Sequence, residues 1–289
     1  MIRASRTFLF SSATLILLFV CWLPVAGADS PSEWISQADF FYLTRYIEED
    51  LLKSIERFEA VLPDLDTLSN DTQAYVLNRL SQLCYEATTF SEGDTAADGT
   101  LYEKGKEYGL QSLRLDAEFA AAEEEHGFNE ALAFAKDVAA LHWMASNWGK
   151  LCGMNPIAGL MQQDSVLALF SRAVEVDPAY WGASSSSSLG SLLIMSPAAL
   201  GGDKAAGLAL VEDSIALDPS YLPNRVILAE YWGFSYGYFG NLTGVRDAAL
   251  IERELQLVMD GEVGDWTFWN LNAKQSAERL LQQLKDMTN

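Results

Sequence analysis

Val176-Asp177-Pro178-Ala179-Tyr180 returns 41 residues later as Leu217-Asp218-Pro219-Ser220-Tyr221. The stretches before the two copies match at the same offset, Leu167, Phe170 and Val174 against Leu208, Val211 and Ile215. Each triplet runs i, i+3, i+7, which places it on one face of a helix. An amphipathic helix closed by Asp-Pro and followed by another helix is the ending of a tetratricopeptide-type hairpin. Such a unit cannot bury its apolar face alone and must stack on its neighbours. The spacing therefore predicts an all-α chain, a tetratricopeptide-like solenoid of helical hairpins, with the clear repeats over about residues 157–240.

Outward from the repeats, Leu115-Asp116-Ala117-Glu118-Phe119 echoes the phrase without its proline, as a decayed first copy. The apolar spacing predicts a long helix from Ser32 or Ser36 to about Leu62, a second from Asp71 to about Phe90, and a third over 101–115. An Ala-rich segment with Asn129 as its cap runs to Cys152. After the repeats come an aromatic loop, Tyr231 to Gly240, and two helices over about 245–259 and 270–287. No stretch from residue 29 onward alternates long enough to predict a strand.

Residues 1–28 read as an address. Arg3 and Arg6 precede an apolar run from Thr7 to Leu23, Pro24 breaks it, and Ala26-Gly27-Ala28 offers a small–x–small cleavage pattern. A cleaved secretory signal and an uncleaved anchor both fit this pattern, the cleaved signal better. Cys21 lacks the small preceding residue of a lipid-attachment site, since Val20 stands there. Residues 29–289 then form one all-α domain in the periplasm. Cys84 and Cys152 would remain, either bridged or as two buried thiols.

The formal charge of −21, from 40 acidic against 19 basic residues, repels phosphate backbones and excludes nucleic acid as a partner. Of the two histidines, His126 follows three glutamates, and His142 sits in mid-helix beside Trp143, where it reads as a packing residue. No HExxH, phosphate-loop or dinucleotide fingerprint occurs, so neither metal nor cofactor is expected and no catalytic residue is assigned. The run Ser184–Ser188 lacks the glycines and strand of a nucleophile elbow and reads as a close helix contact or a hydrated cleft wall. The positive signal is aromatic. Trp143, Trp148, Tyr180, Trp181, Tyr231, Trp232, Tyr236, Tyr238 and Phe239 fall in two stretches that stacked hairpins can bring together. Packing accounts for many of them, and a pocket for an apolar ligand with a polar end accounts for the grouping. The pocket candidates are Trp143, Asn147, Trp181, Ser184, Tyr231 and Tyr236.

Several stretches together resemble the T-component family of tripartite ATP-independent periplasmic (TRAP) transporters. They are Ala140-Leu141-His142-Trp143-Met144-Ala145-Ser146-Asn147-Trp148-Gly149-Lys150, Asp177-Pro178-Ala179-Tyr180-Trp181-Gly182, Leu189-Gly190, Ser196-Pro197-Ala198-Ala199-Leu200-Gly201-Gly202-Asp203, and Leu228-Ala229-Glu230-Tyr231. One departure stands out: Leu228-Ala229 falls nine residues after Pro219, the standard spacing, but Leu189-Gly190 falls eleven after Pro178. The resemblance implies a periplasmic homotrimer that docks with the transporter's solute-binding subunit. It also implies a cleft or pore for a hydrophobic small molecule, an organic acid in the first instance. The competing reading is a tetratricopeptide-like scaffold that holds a protein partner in the cell envelope and has no small-molecule pocket.

Overall fold

A capping box opens the described chain. Ser30 accepts the backbone N–H of Glu33 and the Glu33 carboxylate accepts the N–H of Ser30, so α1 (Pro31–Tyr42) begins with two of its free donors met. The computed structural model describes residues 30–91, 95–237 and 241–288. The expected signal segment, with Cys21, lies outside the described residues, as do Tyr238, Phe239 and Gly240 of the aromatic loop.

The order continues with α2 (Glu48–Glu59), α3 (Asn70–Ala87), α4 (Thr95–Leu113), α5 (Ala117–His126), α6 (Phe128–Ala131), α7 (Val138–Met154) and α8 (Pro156–Leu160). The repeat region supplies α9 (Gln163–Val176), α10 (Tyr180–Met195), α11 (Lys204–Leu217) and α12 (Pro223–Ile227), the last running into a π-helical turn over Leu228–Gly233. A short hairpin, β1 (Phe234–Tyr236) with β2 (Leu242–Val245), precedes α13 (Ala248–Asp260) and α14 (Thr267–Thr288). The architecture is an all-α bundle with almost no sheet.

Both Asp-Pro corners are built by their aspartates. Asp177 accepts the N–H of Ala179 at 3.0 Å, and Asp218 accepts those of Ser220 and Tyr221 at 3.0 and 3.2 Å. Asp116, in the echo without proline, makes the same turn with Glu118. The matched apolar triplets face inward, with Phe170 and Val211 buried and the other four residues partly so.

Several boundaries differ from the periodicity. The expected helix over 32–62 is two helices, because the chain turns at 43–47, where Arg45 leaves the helical path to meet the buried Glu86 at 2.8 Å. Apolar side chains continue through the turn, so period alone hides it. Ser30, Ser69 and Asp137 are the caps of α1, α3 and α7, in place of Ser32 or Ser36, Asp71 and Asn129. The strand pair corrects the expectation of none. Strands of three and four residues are too short to show alternation. Cys84 and Cys152 are free thiols.

Sequential helices pack on each other, α3 on α4, α4 on α7, α7 on α9, and α10 on both α9 and α11. The α10–α11 crossing is close enough that a Cβ on Gly190 would lie 2.6 Å from the Gly207 carbonyl oxygen, and one on Gly207 2.5 Å from that of Gly190. The last helix then closes the chain on its beginning. Phe268 of α14 is buried in one cluster with Ala38, Leu51, Phe58 and Leu80, and the Arg45 guanidinium sits 5.5 Å from its ring.

The start of α10 holds three consecutive left-handed residues, Trp181 (φ 52°), Gly182 (φ 64°) and Ala183 (φ 60°). This turn lies inside the long Pro178–Leu189 span and takes up its extra residues. It costs about 1–2 kcal/mol at each non-glycine position. Asn224 offsets part of that, its amide donating to the Gly182 carbonyl at 2.8 Å and the Ser214 carbonyl at 3.2 Å. A Cβ on Gly182 would meet the Tyr221 ring at 2.5 Å. Gly182→Ala is therefore expected to lower unfolding free energy by about 2–4 kcal/mol, from left-handed strain plus overpacking. Urea unfolding measures this, and a change within experimental error would contradict the described turn.

Candidate ligand-binding cleft

Helical spacing sets the walls. On α7, His142, Ser146 and Lys150 recur every four residues, and on α10 Ser184, Ser188 and Ser191 recur at four and three, so each set shares a face. Between these faces, Tyr85 of α3 and the Ile227–Tyr231 turn lies an outer chamber of about 280 Å³. An inner chamber of about 140 Å³, bounded also by Tyr221 and Trp269, adjoins it, and the two share Tyr85, Ser146, Ser188 and Ile227 in their walls. Trp143 forms one wall of the inner chamber and also faces a third, of about 220 Å³, beside Arg79 and Trp181.

Aromatic rings frame this space. Trp143 stacks on Trp269 at 5.9 Å between centroids, meets Trp181 edge-on at 5.2 Å and donates its indole N–H to the Tyr180 hydroxyl at 3.1 Å. Trp269 also stacks on Tyr85 at 6.1 Å, and Trp266 bridges Trp181 to Tyr221. Each such pair contributes about 0.5–1.5 kcal/mol beyond the area it buries.

His142 is buried, with Nδ1 2.9 Å from the Ser185 hydroxyl and Nε2 3.2 Å from that of Ser184. Burial pushes its pKa down to about 3, so the ring is neutral near pH 7. A serine–histidine pair inside a chamber invites comparison with a hydrolytic centre. Both ring nitrogens are taken by serines, no carboxylate orients the ring, and so weak a base cannot activate a hydroxyl. The pair instead ties α7 to the residue following the left-handed turn.

Lys150 projects into the outer chamber, exposed to it yet surrounded by protein. Its ammonium lies 5.9 Å from the Tyr85 ring centroid, and among the described residues no carboxylate comes within ion-pair distance. The Tyr85 phenol raises its pKa more than burial lowers it, so the group is charged. Glu230, in the same wall, is pushed up by burial against the pull of Arg279, at 3.9 Å, and of Lys150 beyond contact distance.

Of the sequence candidates, Trp143 and Ser184 line the inner chamber, Tyr231 the outer one, and Trp181 the third. Tyr236 stands behind Tyr231, ring to ring at 6.1 Å. Asn147 is buried away from these chambers. Its amide donates to the Ser81 and Trp143 carbonyls, and it fills the space left by Gly105. Sequence reasoning missed Tyr85, Lys150, Glu230 and Trp269. Lys150 is the one charged side chain of α7 at neutral pH, in a chain with 19 basic residues, and that was the available signal for it.

The structure is thus an all-α bundle around an aromatic cleft. The chain matches the TRAP transporter T-component family over residues 85–287 and belongs to that family, an accessory component of a transporter and not an enzyme class. No curated protein matches it. Among the described residues no helix is long and apolar enough to cross a membrane, and no group of His, Cys, Asp and Glu is placed to hold a metal ion.

The His142 pKa gives a pH test. A folded pKa near 3 against an ordinary 6.5 means that the unfolded chain binds the proton first as pH falls. The stability of wild type relative to His142→Gln should be constant above pH 7.5 and drop by about 1 kcal/mol between pH 6 and pH 5. A pH-independent difference in urea unfolding would show that the imidazole is not held neutral.

Proposed function

We propose that this T-component acts in the periplasm, binding a hydrophobic small solute in the cleft and docking with the solute-binding subunit of its transporter as a homotrimer. Residues 1–28 serve as the secretory signal, and the rest forms one tetratricopeptide-like domain. Trp143, Ser184 and Tyr231 contact the solute directly and Trp181 faces it from the chamber beyond Trp143. Asn147 and Tyr236 act as supports behind that wall. The observation that carries the reading is the adjoining pair of chambers, exposed at Lys150 and aromatic at Trp143 and Trp269. A cleft of this kind gains affinity from buried apolar area and uses a few polar groups to orient the guest.

The scaffold reading keeps one specific support. Ile157 and Met161, on and just after α8, are 78% and 88% exposed, which suits contact with another protein. Cross-linking in the native envelope, followed by native mass spectrometry of the purified complex, separates the two. Recovery of a TRAP solute-binding subunit, with extra mass from a small lipophilic compound on the T-component, is expected. Other envelope proteins in its place, with an unliganded mass, would favour the scaffold.

A further inference from the structure

Lys150 is the one Lys or Arg among the described residues that line the outer and inner chambers. It is charged and no carboxylate lies within ion-pair distance, Glu230 acting on it only from farther off, in a chain where acidic residues outnumber basic ones by about two to one. An ammonium left unpaired in such surroundings is either solvated by cleft water or waiting for an anion. The neighbouring polar groups favour an anion, since the hydroxyls of Tyr85, Tyr231 and Ser188 can all donate toward the same space. Inward from there the wall turns to Ile227, Trp143 and Trp269, and its one titratable nitrogen base, His142, is neutral.

We propose that Lys150 receives the carboxylate of a singly charged amphiphile whose apolar tail runs inward past Ser188 and Ile227 to Trp143. The inference rests on the reading of the cleft as a solute site and adds the head-group receptor and the charge class. A second carboxylate on the guest is excluded by the same geometry. Near the mouth it would meet Glu230, which already draws on both Arg279, at 3.9 Å, and Lys150 for its counter-charge. Deeper, it would be stripped of water in the inner chamber with no cation to pair with. A guest ammonium in the place of the carboxylate would face Lys150 itself. The head group is thus selected by one charge, and the tail by shape.

Matched eight-carbon probes test this with the full-length protein, freed of endogenous ligand and followed by titration calorimetry: octanoate, 1-octanol and suberate. Octanoate is expected to bind about tenfold tighter or more than either of the others, the margin of one charge-assisted contact. Lys150→Met should abolish the preference of acid over alcohol and Lys150→Arg should retain it, with circular dichroism verifying that both variants fold. Equal binding of octanoate and octanol by the wild type would overturn the role of Lys150 while leaving the cleft as a solute site. Suberate binding as tight as octanoate would overturn the single-charge claim. If none of the three binds, the solute reading falls and the inference with it.

Discussion

Trp143 is gripped from three separate parts of the chain: by Trp269 of α14, by Trp181 from the left-handed turn of α10, and by Tyr85 of α3. None of these contacts is local in sequence, and together they convert a row of packed helices into a closed body with a hollow beside the indole. Without α14, the α3 and α7 faces would have no cover on that side. Offset stacked and edge-on rings suit such a clasp because they bury large area at fixed geometry with few rotatable bonds. The neutral His142 adds a polar tie at the same place, joining α7 to α10 through two serine hydroxyls.

The strained turn at Trp181–Ala183 belongs to the same constraint. A regular helical start would put Trp181 elsewhere on α10 and withdraw one of the three rings from Trp143. Strain of this kind persists only where the surroundings over-determine it. Here the surroundings are the Asn224 amide, the face of Tyr221 and the Asp177 corner immediately before. The π-helical turn at Leu228–Gly233 is a second irregularity, and it carries Glu230 and Tyr231 on the opposite wall. Both departures from regular helix therefore border the cleft, while the helices that only pack are regular. In this TRAP T-component, regular helices supply the stacking and local deviations shape the cavity.

What the sequence made legible was the part governed by short-range chemistry. The Asp-Pro corners could be read because an aspartate side chain bonds the N–H two residues on whatever lies around it. The apolar triplets could be read because a helix repeats every 3.6 residues. Trp143, Ser184 and Tyr231 were singled out by residue type and position, and the fold brings them to adjoining chambers. Three things were not legible. The break between α1 and α2 depends on Arg45 reaching Glu86, 41 residues away. The left-handed conformation of Trp181 was marked only by the two-residue excess before Leu189. The part played by α14 was hidden because Ala273, Ala277, Leu280 and Leu284 describe an ordinary packing helix, whereas its clasp is the Trp266–Trp269 segment just ahead of them. Asn147 shows the converse limit. Its type suited a ligand contact, and the glycine opposite, Gly105, draws it into the core instead.

The central claim is that α14 closes the body through Trp269, and hydrogen exchange of Trp269→Ala against wild type tests it most directly. The account predicts faster exchange in α3 around Tyr85 and in α7 around Trp143, more than a hundred residues away in sequence, through loss of the shared cover. Changes confined to α13 and α14, with α3 and α7 protected as before, would contradict it.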